Sequence, residues 1–113
     1  MKENVLCASS AYEQKYYFNE KFDKLPESIK EELQIMAVMF TEDVGGIFLA
    51  KFDADGMLML ETVADEGDLL YDEIGAGLKI KKLQEDKKET FEALEMFYKV
   101  FILKQEPGSL ICE

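Results

Sequence analysis

The residues of this chain best suited to chemistry are the acidic side chains of its middle part. Segment 52–78 contains no lysine but eight acids: Asp53, Asp55, Glu61, Asp65, Glu66, Asp68, Asp72 and Glu73. Carboxylate oxygens bind hard cations such as Mg²⁺ and Ca²⁺. One hypothesis is therefore a small-molecule or divalent-cation binding domain that uses the acidic 53–73 segment. The acids lack a fixed ligand spacing, however. We prefer a solvated acidic surface in which Asp68 caps the following helix, and we assign no metal ligand.

Residues 53–56 look like the middle of a calcium-binding loop, but their surroundings exclude one. Alignment of Gly56 with the invariant glycine of such a loop places Lys51 at its first position and Thr62 at its twelfth. The first position requires a carboxylate and the twelfth a bidentate glutamate, and Glu61 stands one position early. The segment instead predicts a tight hairpin turn, with glycine where the backbone needs positive φ.

Residues for nucleophilic or acid–base catalysis are scarce. The chain contains no His and no Arg, and all 13 basic residues are Lys. Cys7 has no imidazole to activate it as a thiolate. A pair of carboxylates has no diagnostic value among 24 acids, because any fold brings some pair together. We therefore expect no catalytic residue and no cofactor, and we do not expect an enzyme.

The charge of the chain limits its partners. A net charge of −11 repels the nucleic-acid backbone. No apolar run approaches the ~20 residues that span a bilayer, and the N-terminus has no signal-peptide pattern. The two cysteines, Cys7 and Cys112, are typical of reduced thiols in a cytosolic protein. We expect a cytoplasmic protein with neither nucleic acid nor membrane as a partner.

Two elements can be predicted directly from the pattern of the chain. Pro26 begins a helix whose apolar residues recur every three or four positions and which ends near Gly45. Its buried face comprises Ile29, Leu33, Met36, Ala37 and Phe40, and Ile35, Val38 and Met39 widen it until the last two turns are buried nearly all round. Segments 46–52 and 57–63 then predict the two strands of a β-hairpin.

The N-terminal segment is ambiguous. Residues 5–7 suggest either a short strand or a tucked terminal segment. The aromatic residues Tyr12, Tyr16, Tyr17 and Phe18 combine a strand-like run with near-helical spacing. We favour helix or turn over residues 11–24.

The C-terminal half predicts helix from about residue 68 to residue 104. One apolar stripe comprises Leu70, Ile74, Leu78, Ile80 and Leu83. A second comprises Phe91, Leu94, Phe97, Tyr98 and Phe101, which we predict as core or interface. The stretch between them is polar, so either one helix crosses solvent or two helices meet there. Residues 110–112 suggest a short terminal strand.

Together these elements predict one α+β domain over residues 1–113. A central antiparallel hairpin or small sheet packs against an N-terminal helix and a long C-terminal helix or helices. A lone hairpin is marginal in water, so further strands should come from a terminus or a second subunit. The C-terminal stripes carry more apolar surface than one hairpin covers, which favours a two-fold homodimer. Segment 79–104 holds seven lysines against five acids, so it can attract the acidic region within one chain or between two. The alternative, which we prefer, is ordinary surface charge that contributes little energy. The leading function is a non-enzymatic protein–protein interaction or regulatory module.

Five stretches carry a resemblance that spans roughly residues 7–103. They are 12–19, 25–26, 40–47, 71–75 and 94–99. As a set they resemble a family of small uncharacterised proteins from Gram-positive anaerobic gut bacteria. The resemblance implies a bacterial cytoplasmic protein, and it implies neither an activity nor a site residue.

Overall fold

A computed structural model describes residues 4–103. These residues form a four-stranded antiparallel sheet with helices packed on one face. The strands are β1 (Val5–Ser10), β2 (Lys15–Phe18), β3 (Ile47–Phe52) and β4 (Leu58–Val63), in the order β2-β1-β3-β4. The helices are α1 (Glu27–Val44), α2 (Glu73–Asp86) and α3 (Lys88–Phe97). This architecture confirms the predicted α+β fold.

The predicted hairpin is formed by β3 and β4. Their register runs from Ile47 opposite Val63 to Phe52 opposite Leu58. The Asp53 carboxylate accepts hydrogen bonds from the backbone N–H groups of Asp55 and Met57, at 2.9 and 3.0 Å. Gly56 adopts φ +86°, a conformation that other residues rarely adopt. The turn therefore forms from its own residues.

The N-terminal segment is extended, so the prediction of helix or turn over residues 11–24 is wrong for strand β2. β2 pairs with β1, placing Phe18 opposite Cys7 and Tyr16 opposite Ser9. This alternation directs Tyr16 and Phe18 towards the core, where strand pairing outweighs the helical spacing of the tyrosines. A single 3₁₀ turn, Glu20–Phe22, follows and buries Phe22. β1 and β2 are the additional strands that the central hairpin requires.

The core lies between the sheet and α1. Leu33, Met36, Ala37 and Phe40 are buried on the sheet-facing side of the helix. The rings of Phe40 and Phe48 lie 5.0 Å apart. An irregularity in the β1–β3 register between Val5 and Cys7 leaves both Leu6 and Cys7 fully buried.

Aromatic rings close one end of the core. The Phe52 ring stacks on Tyr98 with centroids 4.2 Å apart, and Phe22 lies 5.6 Å from Phe52. Such contacts contribute about 0.5–1.5 kcal/mol beyond the area that they bury. Tyr98 begins a π-helical turn, Tyr98–Ile102, which continues α3.

Between residues 68 and 103 the chain forms two α-helices rather than one long helix. Lys87, with φ −111° and ψ 21°, separates α2 from α3. The expected start near residue 68 is wrong, since α2 begins at Glu73 and its cap is Asp72, whose carboxylate accepts from the Gly75 N–H at 3.0 Å. Asp68 instead accepts a hydrogen bond from the Tyr12 hydroxyl at 2.7 Å. The strand suggested at residues 110–112 lies outside the described residues.

None of the helices within residues 4–103 combines the length and the apolar character needed to cross a membrane. The sheet face opposite the helices carries the outward residues of β3 and β4, including Leu49, Met59 and Val63. Lys51 and Glu61 form an ion pair on this face at 3.0 Å.

Candidate protein-docking site

A groove with a volume of about 900 Å³ lies between α1 and α2. Its apolar lining is Ile35, Met36, Met39, Phe40 and Leu83. Met36 and Phe40 are buried, whereas Ile35 and Met39 are 59% and 61% exposed. The prediction that the last two turns of α1 are buried nearly all round is wrong for Ile35 and Met39, because α2 stands beside them and leaves them uncovered. The groove thus has an apolar floor that is open to solvent.

Polar contacts fix the two walls of the groove. Lys79 of α2 forms an ion pair with Asp43 at the C-terminal end of α1. Nearer the start of α1, the Glu32 carboxylate accepts from the Thr90 hydroxyl at 3.0 Å and contacts the Lys87 ammonium at 3.2 Å. These pairs are partly exposed, and such pairs contribute about 0–1 kcal/mol each. They join the two ends of the groove and show that α1 and α2 run antiparallel.

The two walls carry opposite charge. The α1 wall contributes Glu31, Glu32, Glu42 and Asp43. The facing wall contributes Lys79 and Lys82 of α2 and the linking residue Lys87. An apolar floor between an acidic and a basic wall suits the docking of an amphipathic protein surface.

The outer side of α2 and the loop that precedes it carry a second apolar surface. Leu70 of this loop is 96% exposed, and Ile74 and Leu78 of α2 are 79% and 64% exposed, whereas Ala76 is buried on the opposite side of the helix. The predicted stripe from Leu70 to Leu83 is therefore divided. Ile80 and Leu83 pack against the core, while the three earlier residues point to solvent. We refer to the groove residues Ile35 and Met39 together with Leu70, Ile74 and Leu78 as the α1–α2 surface.

The model of a family of unknown function, designated DUF6145, matches residues 3–106 of the chain. The chain belongs to the DUF6145 family. No curated protein and no solved structure matches it. The match confirms the predicted membership of a family of unknown function. Membership of the DUF6145 family assigns no activity to the domain.

The five residues predicted as core or interface lie at different depths in this DUF6145 chain. Phe91, Leu94 and Tyr98 are buried. Phe97 is half-buried against the core, and the exposed Phe101 ring lies 4.8 Å from it. The first three therefore belong to the core of a single chain, and an interface role for Phe97 and Phe101 stays a prediction.

The acidic side chains of segment 53–73 of the DUF6145 chain make separate local contacts. Asp53 stabilises the hairpin turn, Glu61 pairs with Lys51, and Asp72 caps α2. Within residues 4–103, no three acidic or cysteine side chains gather where they could hold a metal ion. The local role of these carboxylates is to stabilise turns, a strand pair and a helix end.

Cys7 is part of the core. Burial raises the pKa of its thiol to about 12, with the Tyr16 hydroxyl as its polar neighbour. Burial also raises the pKa of the Tyr16 hydroxyl. A thiol that keeps its proton is a poor nucleophile and a poor metal ligand. Cys112 lies outside the described residues.

Proposed function

We propose that this domain is a non-enzymatic interaction module that binds a second copy of itself through the α1–α2 surface. The observation that carries the proposal is the exposure of large apolar side chains on two adjoining helices. Single exposed apolar residues are ordinary on protein surfaces, whereas several on neighbouring elements are typical of interaction sites.

The five side chains of the α1–α2 surface would gain free energy on being buried by a partner. Burial of apolar area contributes about 25 cal/mol per Å², so each large aliphatic side chain that becomes fully buried contributes roughly 1.5–3 kcal/mol. Leu70 and Ile74 are almost fully exposed and gain the most on being covered. Association of two copies would bury these side chains without a change in the fold.

A second copy fits this surface for two reasons. The chain presents both a concave groove, floored by Ile35 and Met39, and the projecting residues Ile74 and Leu78 on the same pair of helices. It also presents both an acidic and a basic wall. A two-fold interface uses the same patch on each subunit, so a patch that contains both halves of a complementary pair is suited to it.

The cellular setting belongs to the same proposal. We place the protein in a bacterial cytoplasm. The sequence resemblance supports this setting, and so does the small number of cysteines, two in 113 residues, which is typical of a reducing compartment.

Sedimentation equilibrium tests the proposal. The weight-average mass of the wild type should rise with concentration from one chain, 13.0 kDa, towards two. Ile35→Glu and Leu78→Glu should each weaken association by about a hundredfold or more, because a carboxylate would have to be buried. Both positions are exposed in the single chain, so circular dichroism should show an unchanged fold.

Met59→Glu is the matched control. Met59 is an exposed apolar residue on the opposite face of the sheet, and its replacement adds the same charge. It should leave association unchanged. A wild type that stays monomeric up to hundreds of micromolar would overturn the proposal, and so would dissociation by Met59→Glu but not by Leu78→Glu.

A further inference from the structure

We infer that charge directs this self-association, with Glu42 of α1 in one copy lying against Lys81 and Lys82 of α2 in the other. The inference rests on the proposed function and adds the arrangement of the partner and the residues that select it.

The first observation is the matching order of side chains along the two helices. On α1, Ile35, Met39 and Glu42 follow at spacings of four and three, so they share one side of the helix. On α2, Ile74 and Leu78 are followed at spacings of three and four by Lys81 and Lys82. Each helix therefore presents two apolar residues and then charge, acidic on α1 and basic on α2.

The second observation concerns the charged side chains that already form ion pairs within one chain. Asp43 pairs with Lys79, and Glu32 with Lys87, across the groove. Among the ion pairs within residues 4–103, Glu42 and Lys81 have no part, and Lys82 contacts Asp86 only at 3.4 Å. These charges remain for a partner.

The third observation is the relative direction of α1 and α2. The pairs Asp43–Lys79 and Glu32–Lys87 show that α1 and α2 run antiparallel within one chain. A two-fold axis perpendicular to both helices reverses the second copy, so α1 of one subunit runs parallel to α2 of the other. In that direction Ile35 and Met39 lie against Ile74 and Leu78 of the partner subunit, and Glu42 reaches the lysines beyond them.

The same charges disfavour the competing pairing of α1 with α1. A parallel pair places Glu42 beside the equivalent Glu42, and an antiparallel pair places it beside Glu31 of the other copy. Like charges at an interface oppose binding, so the acidic residues of α1 select α2 as the partner helix.

Charge reversal tests the arrangement in trans. Glu42→Lys should weaken self-association about tenfold or more by facing lysines, and Lys81→Glu/Lys82→Glu should do the same by facing Glu42. An equimolar mixture of the two proteins should regain an affinity within about threefold of wild type, because both contacts of the mixed dimer are then attractive. With one of the two proteins labelled with ¹⁵N, native mass spectrometry identifies the mixed dimer by its mass. Sedimentation at low salt measures its affinity, since salt screens such pairs.

Glu92→Lys is the matched control. Glu92 is an exposed glutamate of α3 that lies outside the groove and the α1–α2 surface. Its replacement makes the same change of charge and should not weaken association. A monomeric wild type would overturn both the proposed function and this inference. A dimeric wild type whose reversed variants associate normally, or fail to recombine as a mixed dimer, would overturn the inference alone.

Discussion

Ser9 of β1 and Thr41 of α1 form a buried hydroxyl pair, with their oxygens 2.8 Å apart. The Thr41 hydroxyl also lies 3.2 Å from the carbonyl of Ala37 and 3.1 Å from that of Val38, to which it donates its hydrogen. Its oxygen therefore accepts from Ser9. This chain of contacts links the last turns of α1 to the middle of the sheet and fixes the helix that forms one wall of the groove.

The direction of this hydrogen bond predicts unequal effects of removing either partner. Thr41→Val should cost about 1–3 kcal/mol in the free energy of unfolding, because it leaves the Ser9 hydroxyl buried without an acceptor. Ser9→Ala should cost about 0.5–1.5 kcal/mol, since Thr41 keeps its carbonyl partners. The double variant should be more stable than Thr41→Val alone. Urea unfolding measures all three, and equal losses for the two single variants would contradict the assigned donor.

Two glycines of α2 should respond in opposite directions to alanine. A Cβ added at Gly77 meets no atom within 4 Å, so Gly77→Ala should stabilise the protein by about 0.5–1 kcal/mol. A Cβ at Gly75 would lie 2.5 Å from the Asp72 carboxylate that caps the helix. Gly75→Ala should therefore displace the cap and give a net loss of up to about 1 kcal/mol. Thermal unfolding compares the two variants, and stabilisation by both would show that the Asp72 cap contributes little.

The buried thiol of Cys7 predicts both low reactivity and a stability that falls in alkali. Its folded-state pKa of about 12 exceeds the ordinary value of 9.0, so between these values the unfolded chain releases a proton that the folded chain retains. Stability should fall by up to about 1.4 kcal/mol per pH unit across this window. In a Cys112→Ser background, Cys7 should resist a thiol reagent at pH 8 until the protein unfolds. Rapid labelling of the folded protein would contradict its burial.

Divalent cations should leave the stability of the protein unchanged. The Asp53, Glu61 and Asp72 carboxylates are engaged in separate local contacts and do not converge. A ligand that binds the folded state raises the melting temperature, so excess Mg²⁺ or Ca²⁺ should produce no rise relative to EDTA. A clear upward shift would revive the alternative of a cation-binding domain.

Local signals predicted α1 and the central hairpin well. Pro26 starts the chain into a helix, and the turn at Asp53 and Gly56 depends only on residues within four positions of one another. Such features can be derived from the sequence, because the interactions that stabilise them lie between residues close together in the chain.

Strand β2 was missed because its stability depends on a distant partner. Tyr16 and Phe18 become core residues only when β1 lies beside them. The local sequence alone is compatible with both a strand and a helical turn. The break between α2 and α3 at Lys87 also lies beside a distant element, because Glu32 of α1 contacts both Lys87 and Thr90. The local pattern of residues does not show such contacts.

The candidate site could be predicted only in part. Helical periodicity marked Ile74 and Leu78 as apolar, yet periodicity does not tell whether the covering surface belongs to the same chain or to another. One signal for Ile35 and Met39 was available, because the acids Glu31 and Glu42 continue their side of α1 and acids seldom line a core.

Methionine methyl NMR across a dilution series tests self-association through the α1–α2 surface most directly. The wild type carries its own probes, with Met39 on the groove floor and Met57 and Met59 on the exposed hairpin. If two copies associate through this surface, the Met39 methyl resonance should shift or broaden as the protein is diluted, while those of Met57 and Met59 should stay fixed. A spectrum without concentration dependence, or one in which Met59 moves and Met39 does not, would contradict it.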